Sequence, residues 1–294
     1  MIQFFNIFHG IAKVEEFLAQ MTDEEVAHLL GGQPNTGVAN TFGWGNMPEY
    51  GIPNCMTADG PAGLRIAPEC GVTTTAWPCA TLLAATWNPN VVYQVGAAGG
   101  KEVKENNIAA WLTPALNIHR SPLCGRNFEY YSEDPLLAGV LAGDMVKGIQ
   151  SQGVAATVKH FALNNKETDR KHSDSRVSER AAREIYLKAF EYVIKGAKPR
   201  AVMSSYNIIN GCYASENKEL LEDILRDEWG FDGMVTTDWW TLGEHYKEVK
   251  AGNDMKMACG DPKRLKEAMD QGLLTRQDLE HCAERVLNLI LKLD

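Results

Sequence analysis

Two kinds of apolar pattern alternate along the chain. Short runs at 54–58, 82–86, 109–113, 154–158, 201–205, 234–237 and 255–258 have the length and composition of buried strands. Between them, apolar residues recur at helical spacing. Residues 178–195 carry Ala182, Ile185, Ala189, Phe190 and Val193, and residues 216–229 carry Leu220, Leu221, Ile224, Leu225 and Trp229. A last stripe runs through Leu279, Cys282, Val286, Leu289 and Leu293. Helix starts are marked as well. Thr22 with Glu25 and Thr275 with Asp278 make capping boxes. Asn88-Pro89 and Asp134-Pro135 each put a cap residue before a proline at the first helical position.

Strands that alternate with helices predict an α/β fold with a largely parallel sheet. Seven or eight such units in 294 residues predict a single-domain (β/α)8 TIM-like barrel over residues 1–294, a fold that typically takes ~250 residues. A doubly wound open sheet is the rival. It would want an early phosphate-binding turn, and residues 96–100 match neither the dinucleotide fingerprint nor a P-loop.

Charge and cysteines narrow the setting. A net charge of −9 argues against a nucleic-acid partner. Cys55, Cys70, Cys79, Cys124, Cys212, Cys259 and Cys282 are odd in number and scattered, with no Cys-x-x-Cys pair. They read as free thiols in a reducing, cytoplasmic compartment. The first twelve residues lack the basic start and cleavage site of a signal peptide, and no apolar run is long enough for a membrane span. Neither a metal nor another cofactor is expected, since no ligand set clusters.

Polar residues fall where the apolar runs end. Asp59 follows the first, Lys159 and His160 the fourth, Tyr206 the fifth and Asp238 with Trp239 the sixth. Each has an ordinary explanation. Asp59 can make a turn and Asp238 a helix cap. Lys159 and His160 can form a salt-bridged strand end, and Arg126 can pair with Glu129 or Glu133. Tyr206, Trp239 and Trp240 can be core rings. In a barrel, however, C-terminal strand ends converge on one face. There Asp59, Arg126, Lys159 and His160 would grip hydroxyls, and an aromatic ring would face a pyranose. Asp238 would lie under the anomeric carbon, its pKa kept low by cationic neighbours.

These residues sit in recognisable segments. They are Thr57-Ala58-Asp59-Gly60-Pro61-Ala62-Gly63-Leu64-Arg65, Gly125-Arg126-Asn127-Phe128-Glu129 with Ser132-Glu133-Asp134-Pro135, and Lys159-His160-Phe161. Further on come Val177-Ser178-Glu179-Arg180, Met203-Ser204-Ser205-Tyr206-Asn207, Trp229-Gly230-Phe231-Asp232-Gly233 and Asp238-Trp239. In this order, over roughly residues 20–260, the chain closely resembles the barrel domain of glycoside hydrolase family 3, in its β-glucosidase branch. The resemblance implies a retaining exo-β-glycosidase acting on β-glucosides or short β-linked oligosaccharides, without nucleic acid or membrane. It makes Asp238 the catalytic nucleophile and Asp59 the holder of the distal hydroxyls. Arg126, Lys159 and His160 become further sugar contacts, and Tyr206 a neighbour of the nucleophile. Trp239 becomes the aglycone wall, Met203 pocket lining, and Arg65 a further contact within its motif.

Retention needs a second carboxyl group as acid/base. In the β-glucosidase branch it is a glutamate on a separate α/β sandwich domain, which this sequence does not contain. Two accounts follow: a fragment of a longer enzyme, with the sandwich domain on either side, or a reduced protein working alone or with a separate partner. The family's β-N-acetylglucosaminidases instead use a histidine and an aspartate on the loop after Lys-His-Phe. Lys171-His172-Ser173-Asp174 lies near that place. The loop itself, Ala162-Leu163-Asn164-Asn165-Lys166-Glu167-Thr168, has the Asn-rich form of the β-glucosidase branch and lacks the Gly-His-Gly turn. His172, and after it Glu167, Glu129 and Glu244, are the substitute candidates. A sugar-binding barrel that has lost catalysis, or a β-N-acetylglucosaminidase or β-xylosidase of the same family, are the alternative functions.

Overall fold

The computed structural model describes residues 1–258 and 260–293. Cys259, read above as a free thiol, and Asp294 lie outside the described residues. The main sheet has six strands in the order β1 (Gly43–Met47), β2 (Ile52–Ala58), β3 (Ala110–Trp111), β4 (Ala155–Phe161), β6 (Ala201–Ser204) and β9 (Met234–Thr237). A small side sheet joins β5 (Asp174–Ser175), β7 (Ile208–Ile209) and β8 (Cys212–Tyr213). From β2 onward the main ladder is parallel. Isolated bridges continue it from Thr236 to Met255, from Lys256 to Gly31 and from Gln33 to Gly43.

The predicted helix starts hold. Thr22 accepts from the Glu25 amide, and Glu25 reaches back to the Thr22 amide, opening α3 (Asp23–Leu29). Thr275 and Asp278 do the same for α11 (Arg276–Ile290). Asn88 caps α5 (Pro89–Glu105) and Asp134 caps α6 (Pro135–Gln150). Ser178 opens a helical stretch that ends in α8 (Lys188–Ala197), and Glu219–Glu228 winds as a wide π-type helix. The remaining helices are α1 (Phe4–Phe8), α2 (Val14–Leu18), α4 (Ala80–Ala85), α7 (Glu179–Ala181), α9 (His245–Lys250) and α10 (Pro262–Asp270). Residues 96–100 are the middle of α5 and serve packing. A Cβ at Gly96 would come within 2.6 Å of the Met145 carbonyl on α6, so the two helices cross closely at glycine.

One expectation is corrected, and the largely parallel sheet has one exception. Residues 82–86 are not a strand, because they belong to α4 and the turn that follows it. Ala and Leu favour helix, and Ala80, Leu83 and Ala84 are buried while Thr81 and Leu82 face outward, a period of three to four rather than two. The sheet is also mixed, since β1 and β2 pair antiparallel. Only the turn Pro48–Tyr50 and Gly51, at φ 74°, separate them. So short a link permits a hairpin but no parallel crossover. The run at 255–258 supplies one bridge to β9 and one to Gly31.

The core has two parts. One lies between the sheet and α5, α6 and α8, and includes Trp111, Phe161 and Phe190. The other joins α2, α3, α10 and α11 to the opposite end of the strands. Ala110, Ala155 and Ala201 belong to that second cluster with the fully buried Trp44.

Candidate active site

The C-terminal ends of the parallel strands open into a cavity of about 490 Å³, within the usual range for small-molecule sites. Asp59, Arg65, Arg126, Lys159, His160, Met203, Tyr206, Asp238 and Trp239 all line it. The local fold explains their convergence. Asp59 is the first residue past β2, Tyr206 the second past β6, and Asp238 the first past β9. Lys159 and His160 are neighbours within β4, where successive side chains normally point to opposite faces. The β4–β6 register shifts between Val158 and Phe161, and such an irregularity re-aims side chains. Arg126 stands on the turn before Asn127–Glu129.

The site is a charge network. Lys159 Nζ donates to Asp59 Oδ1 at 2.6 Å, and Arg65 reaches Asp59 Oδ2 at 3.4 Å. Burial pushes the Asp59 carboxyl up, but Lys159, the Gly60 amide and Arg65 outweigh it and hold the pKa at about 2. Asp59 therefore contributes stability that is complete above the ordinary carboxylate value and is lost as pH falls toward about 2. Asp59→Asn is expected to lower stability by about 2 kcal/mol, since it strands the buried Lys159 ammonium. Urea unfolding near neutral pH checks this, and an unchanged midpoint would contradict it.

Arg126 Nε pairs with the buried Glu129, and its Nη2 donates to His160 Nε2 at 2.8 Å. An arginine cannot accept, so His160 Nε2 is the acceptor and Nδ1 bears the proton, 3.4 Å from the Tyr130 hydroxyl. Asn117 pins the His160 backbone from both sides, each bond 2.9 Å long. Burial, then Arg126 and Lys159, push the His160 pKa well down. His160 is thus a neutral hydrogen-bonding group, and its 3.7 Å approach to Asp238 is not an ion pair.

Asp238 is 8% exposed. Its Oδ1 accepts from the Trp239 amide at 2.7 Å. Burial raises its pKa, and Lys159, Arg126 and the Trp239 amide oppose that rise without cancelling it. The expectation of a low pKa is corrected here: the cations are present, but removal from water outweighs them. The Tyr206 hydroxyl donates to the Trp239 carbonyl at 2.7 Å. Its own pKa is raised by burial and then by the Asp238 charge.

The candidate substitutes for the acid/base are dispersed. Glu129 lines the cavity but is tied to Arg126. Glu167 pairs with Arg170 at 3.2 Å and lies 3.8 Å from Arg126. His172 is exposed and bonded to Asp169, and Glu244 pairs with Lys247, both away from the cavity lining. Several lining residues escaped sequence reasoning: Asn40, Thr41, Phe42, Leu112, Phe128 and Arg170. Arg170 covers the Tyr206 ring, its guanidinium 4.5 Å from the centroid. Its run Glu167-Thr168-Asp169-Arg170-Lys171 carries only the signal of a solvated charged loop. Trp240, for which a core ring was the ordinary explanation, lines the cavity and is 61% exposed. Among the described residues no His, Cys, Asp and Glu cluster could hold a metal ion, and no helix is long and apolar enough to cross a membrane.

Comparison with known proteins gives this site a family. "Beta-glucosidase A" of Butyrivibrio fibrisolvens is 63% identical over 278 residues, 95% of this chain and 34% of that protein. An "Exo-alpha-(1->6)-L-arabinopyranosidase" of Bifidobacterium longum is 44% identical over 92% of this chain and 36% of its own length. The structure of β-glucosidase 3B from Thermotoga neapolitana with α-D-glucose superimposes with a TM-score of 0.92 at 43% identity, covering 96% of this chain and 43% of the other. The chain thus spans about a third of the length of the curated relatives it matches. The profile described as the Glycosyl hydrolase family 3 N terminal domain matches residues 46–289. The chain belongs to glycosyl hydrolase family 3 and carries its N-terminal domain.

Proposed function

We propose that this chain holds the sugar site and the nucleophile of a retaining exo-β-glycosidase acting on terminal β-linked glucose. The carrying observation is the position of Asp238, at the end of β9 and in one cavity with Lys159, Arg126 and Tyr206. A carboxylate of this kind attacks the anomeric carbon. The glycosidic C–O bond breaks, the leaving oxygen takes a proton from an acid, and a glycosyl ester remains on Asp238 until water displaces it. Lys159 and Arg126 favour its ionised form. Asp59, held ionised by Lys159, is suited to accept from sugar hydroxyls, and Arg126, Lys159, His160 and Arg65 surround the ring. Met203 lines the floor, Tyr206 lies beside the nucleophile and Trp239 forms the aglycone side.

The two carboxyl groups of a retaining site stand about 5–5.5 Å apart. Glu129 is already bound to Arg126, so we assign the acid/base to an α/β sandwich domain, fused or separate. The bridges through Met255, Lys256, Gly31 and Gln33 support a sheet that closes into a (β/α)8-like barrel with one antiparallel strand. Six free thiols among the described cysteines fit a reducing, cytoplasmic setting.

The test is trapping with 2,4-dinitrophenyl 2-deoxy-2-fluoro-β-glucoside, whose leaving group needs no acid. Intact-mass and peptide analysis should find one fluoroglucosyl group, on the peptide bearing Asp238. An adduct elsewhere would overturn the assignment. Glucose binding without any adduct would favour a sugar-binding domain that has lost catalysis. Because one relative is named for an arabinopyranoside, matched 2-fluoro β-xyloside and α-L-arabinopyranoside reagents would read the sugar preference.

A further inference from the structure

The loop after Asp238 rests on a buried ion pair outside the cavity. Glu248, on α9, is fully buried. Its carboxylate accepts from Ser215 Oγ at 2.8 Å, Thr241 Oγ1 at 2.9 Å and Lys256 Nζ at 2.6 Å. Lys256 also donates to Thr241 Oγ1 at 3.2 Å and to the Gly243 carbonyl at 2.8 Å. A Cβ at position 243 would come within 2.5 Å of Glu248 Oε1, so the loop packs directly on the carboxylate. A carboxylate wholly removed from water is tolerated only while its donors stay in place. Closing the network therefore fixes Thr241 and Gly243.

The near end of the loop is held separately. The Trp240 amide donates to the Met257 carbonyl at 2.9 Å, and Lys171 Nζ donates to the Trp240 carbonyl at 3.0 Å. At this near anchorage Trp240 has φ 54° and meets Phe42 edge-on, with ring centroids 6.3 Å apart. Residues 256 and 257 thus grip the loop twice, once by backbone and once by a lysine that Glu248 orients.

We infer that Glu248 is a positioning residue for the aglycone: through Lys256 and Thr241 it sets the Trp239–Trp240 wall of the cavity. The inference rests on the reading of Asp238 as nucleophile. The competing explanation is general support, in which loss of the pair loosens the site as a whole.

Two inactivators separate these. 2-Deoxy-2-fluoro-β-glucosyl fluoride and its 2,4-dinitrophenyl counterpart share the sugar and the attacked carbon, and differ only in the aglycone. For Glu248→Gln the efficiency of labelling by the dinitrophenyl compound should fall about tenfold. The fluoride should change by less than about twofold, a difference of under half a kcal/mol. Thr241→Val, which keeps the Glu248–Lys256 pair, should show the same split more weakly and guards against misfolding of the first variant. Equal changes for both compounds, or none for either, would overturn the inference. Failure of the unaltered chain to label with either compound would overturn the reading of Asp238 instead, and the inference would fall with it.

Discussion

Replacing Asp238 with asparagine is expected to cut turnover of an activated aryl β-glucoside by about 10⁴-fold or more, in line with the loss of a group that forms a covalent intermediate. The fold should survive. Asparagine keeps an oxygen for the Trp239 amide, Lys159 keeps Asp59, and Arg126 keeps Glu129, so no cation is stranded. A stability gain is the more informative readout. The Asp238 pKa is raised by burial, so its ionised form is disfavoured in the folded chain at neutral pH, and removing the charge removes that cost. The melting temperature should hold or rise while activity collapses. In Asp238→Gly, azide can enter the space of the missing carboxylate and should give an α-glucosyl azide, the product of a single inversion. Undiminished turnover in the asparagine variant, or a melting temperature lowered by several degrees, would contradict this account.

The second large effect is structural. Asp254→Ala should destabilise the chain by about 3–5 kcal/mol, the usual result of removing one partner from a buried ionic cluster. Asp254 is fully buried. Its Oδ2 accepts from Arg226 Nη2 and from the Val235 amide, both at 2.7 Å, and its Oδ1 accepts from Arg285 at 3.1 Å. Alanine takes the buried carboxylate from Arg226, leaving it the Gly233 and Gly252 carbonyls and the more distant Glu222, and frees one amide of β9, three residues before Asp238. At roughly 2–4 °C per kcal/mol for a chain somewhat smaller than this one, the melting temperature should drop by about 10 °C. The exposed pair of Lys292 with Asp232, 3.5 Å apart, is the control. Asp232→Ala should change stability by less than about 0.5 kcal/mol. Similar effects at the two positions would show that burial does not decide the worth of these pairs.

Helix starts were legible because local chemistry sets them. Thr22, Asn88, Asp134 and Thr275 satisfy amides within three residues of themselves, so no distant contact is needed. The strand ends that meet at the cavity were legible because each apolar run stops at a polar group. What failed depended on neighbours remote in sequence. β1, Gly43-Trp44-Gly45-Asn46-Met47, has poor strand propensity. Gly43 serves there because a Cβ would come within 1.9 Å of Asn54 Oδ1 on β2. The 82–86 run was short and apolar, a pattern shared by strands and buried helices. Asn117, which pins His160 from 43 positions away, and Arg170, which stacks on Tyr206, looked like any loop residues. The charges around Asp238 could be named from sequence, but its depth could not, and depth decided the direction of its pKa.

The hydrogen bond from Arg126 to His160 has a consequence for how rate should vary with pH. It takes the Nε2 lone pair and helps keep the imidazole neutral, so His160 adds no ionisation near its ordinary value. Tyr206 is pushed above the ordinary phenol range. With Asp238 as the proposed nucleophile, the acidic limb of a pH–rate curve is expected to report its ionisation, displaced upward from where an exposed aspartate would set it. If a complete enzyme built around this domain also loses activity as pH rises past neutrality, that descending limb would time the departure of a proton from a donor supplied by another domain.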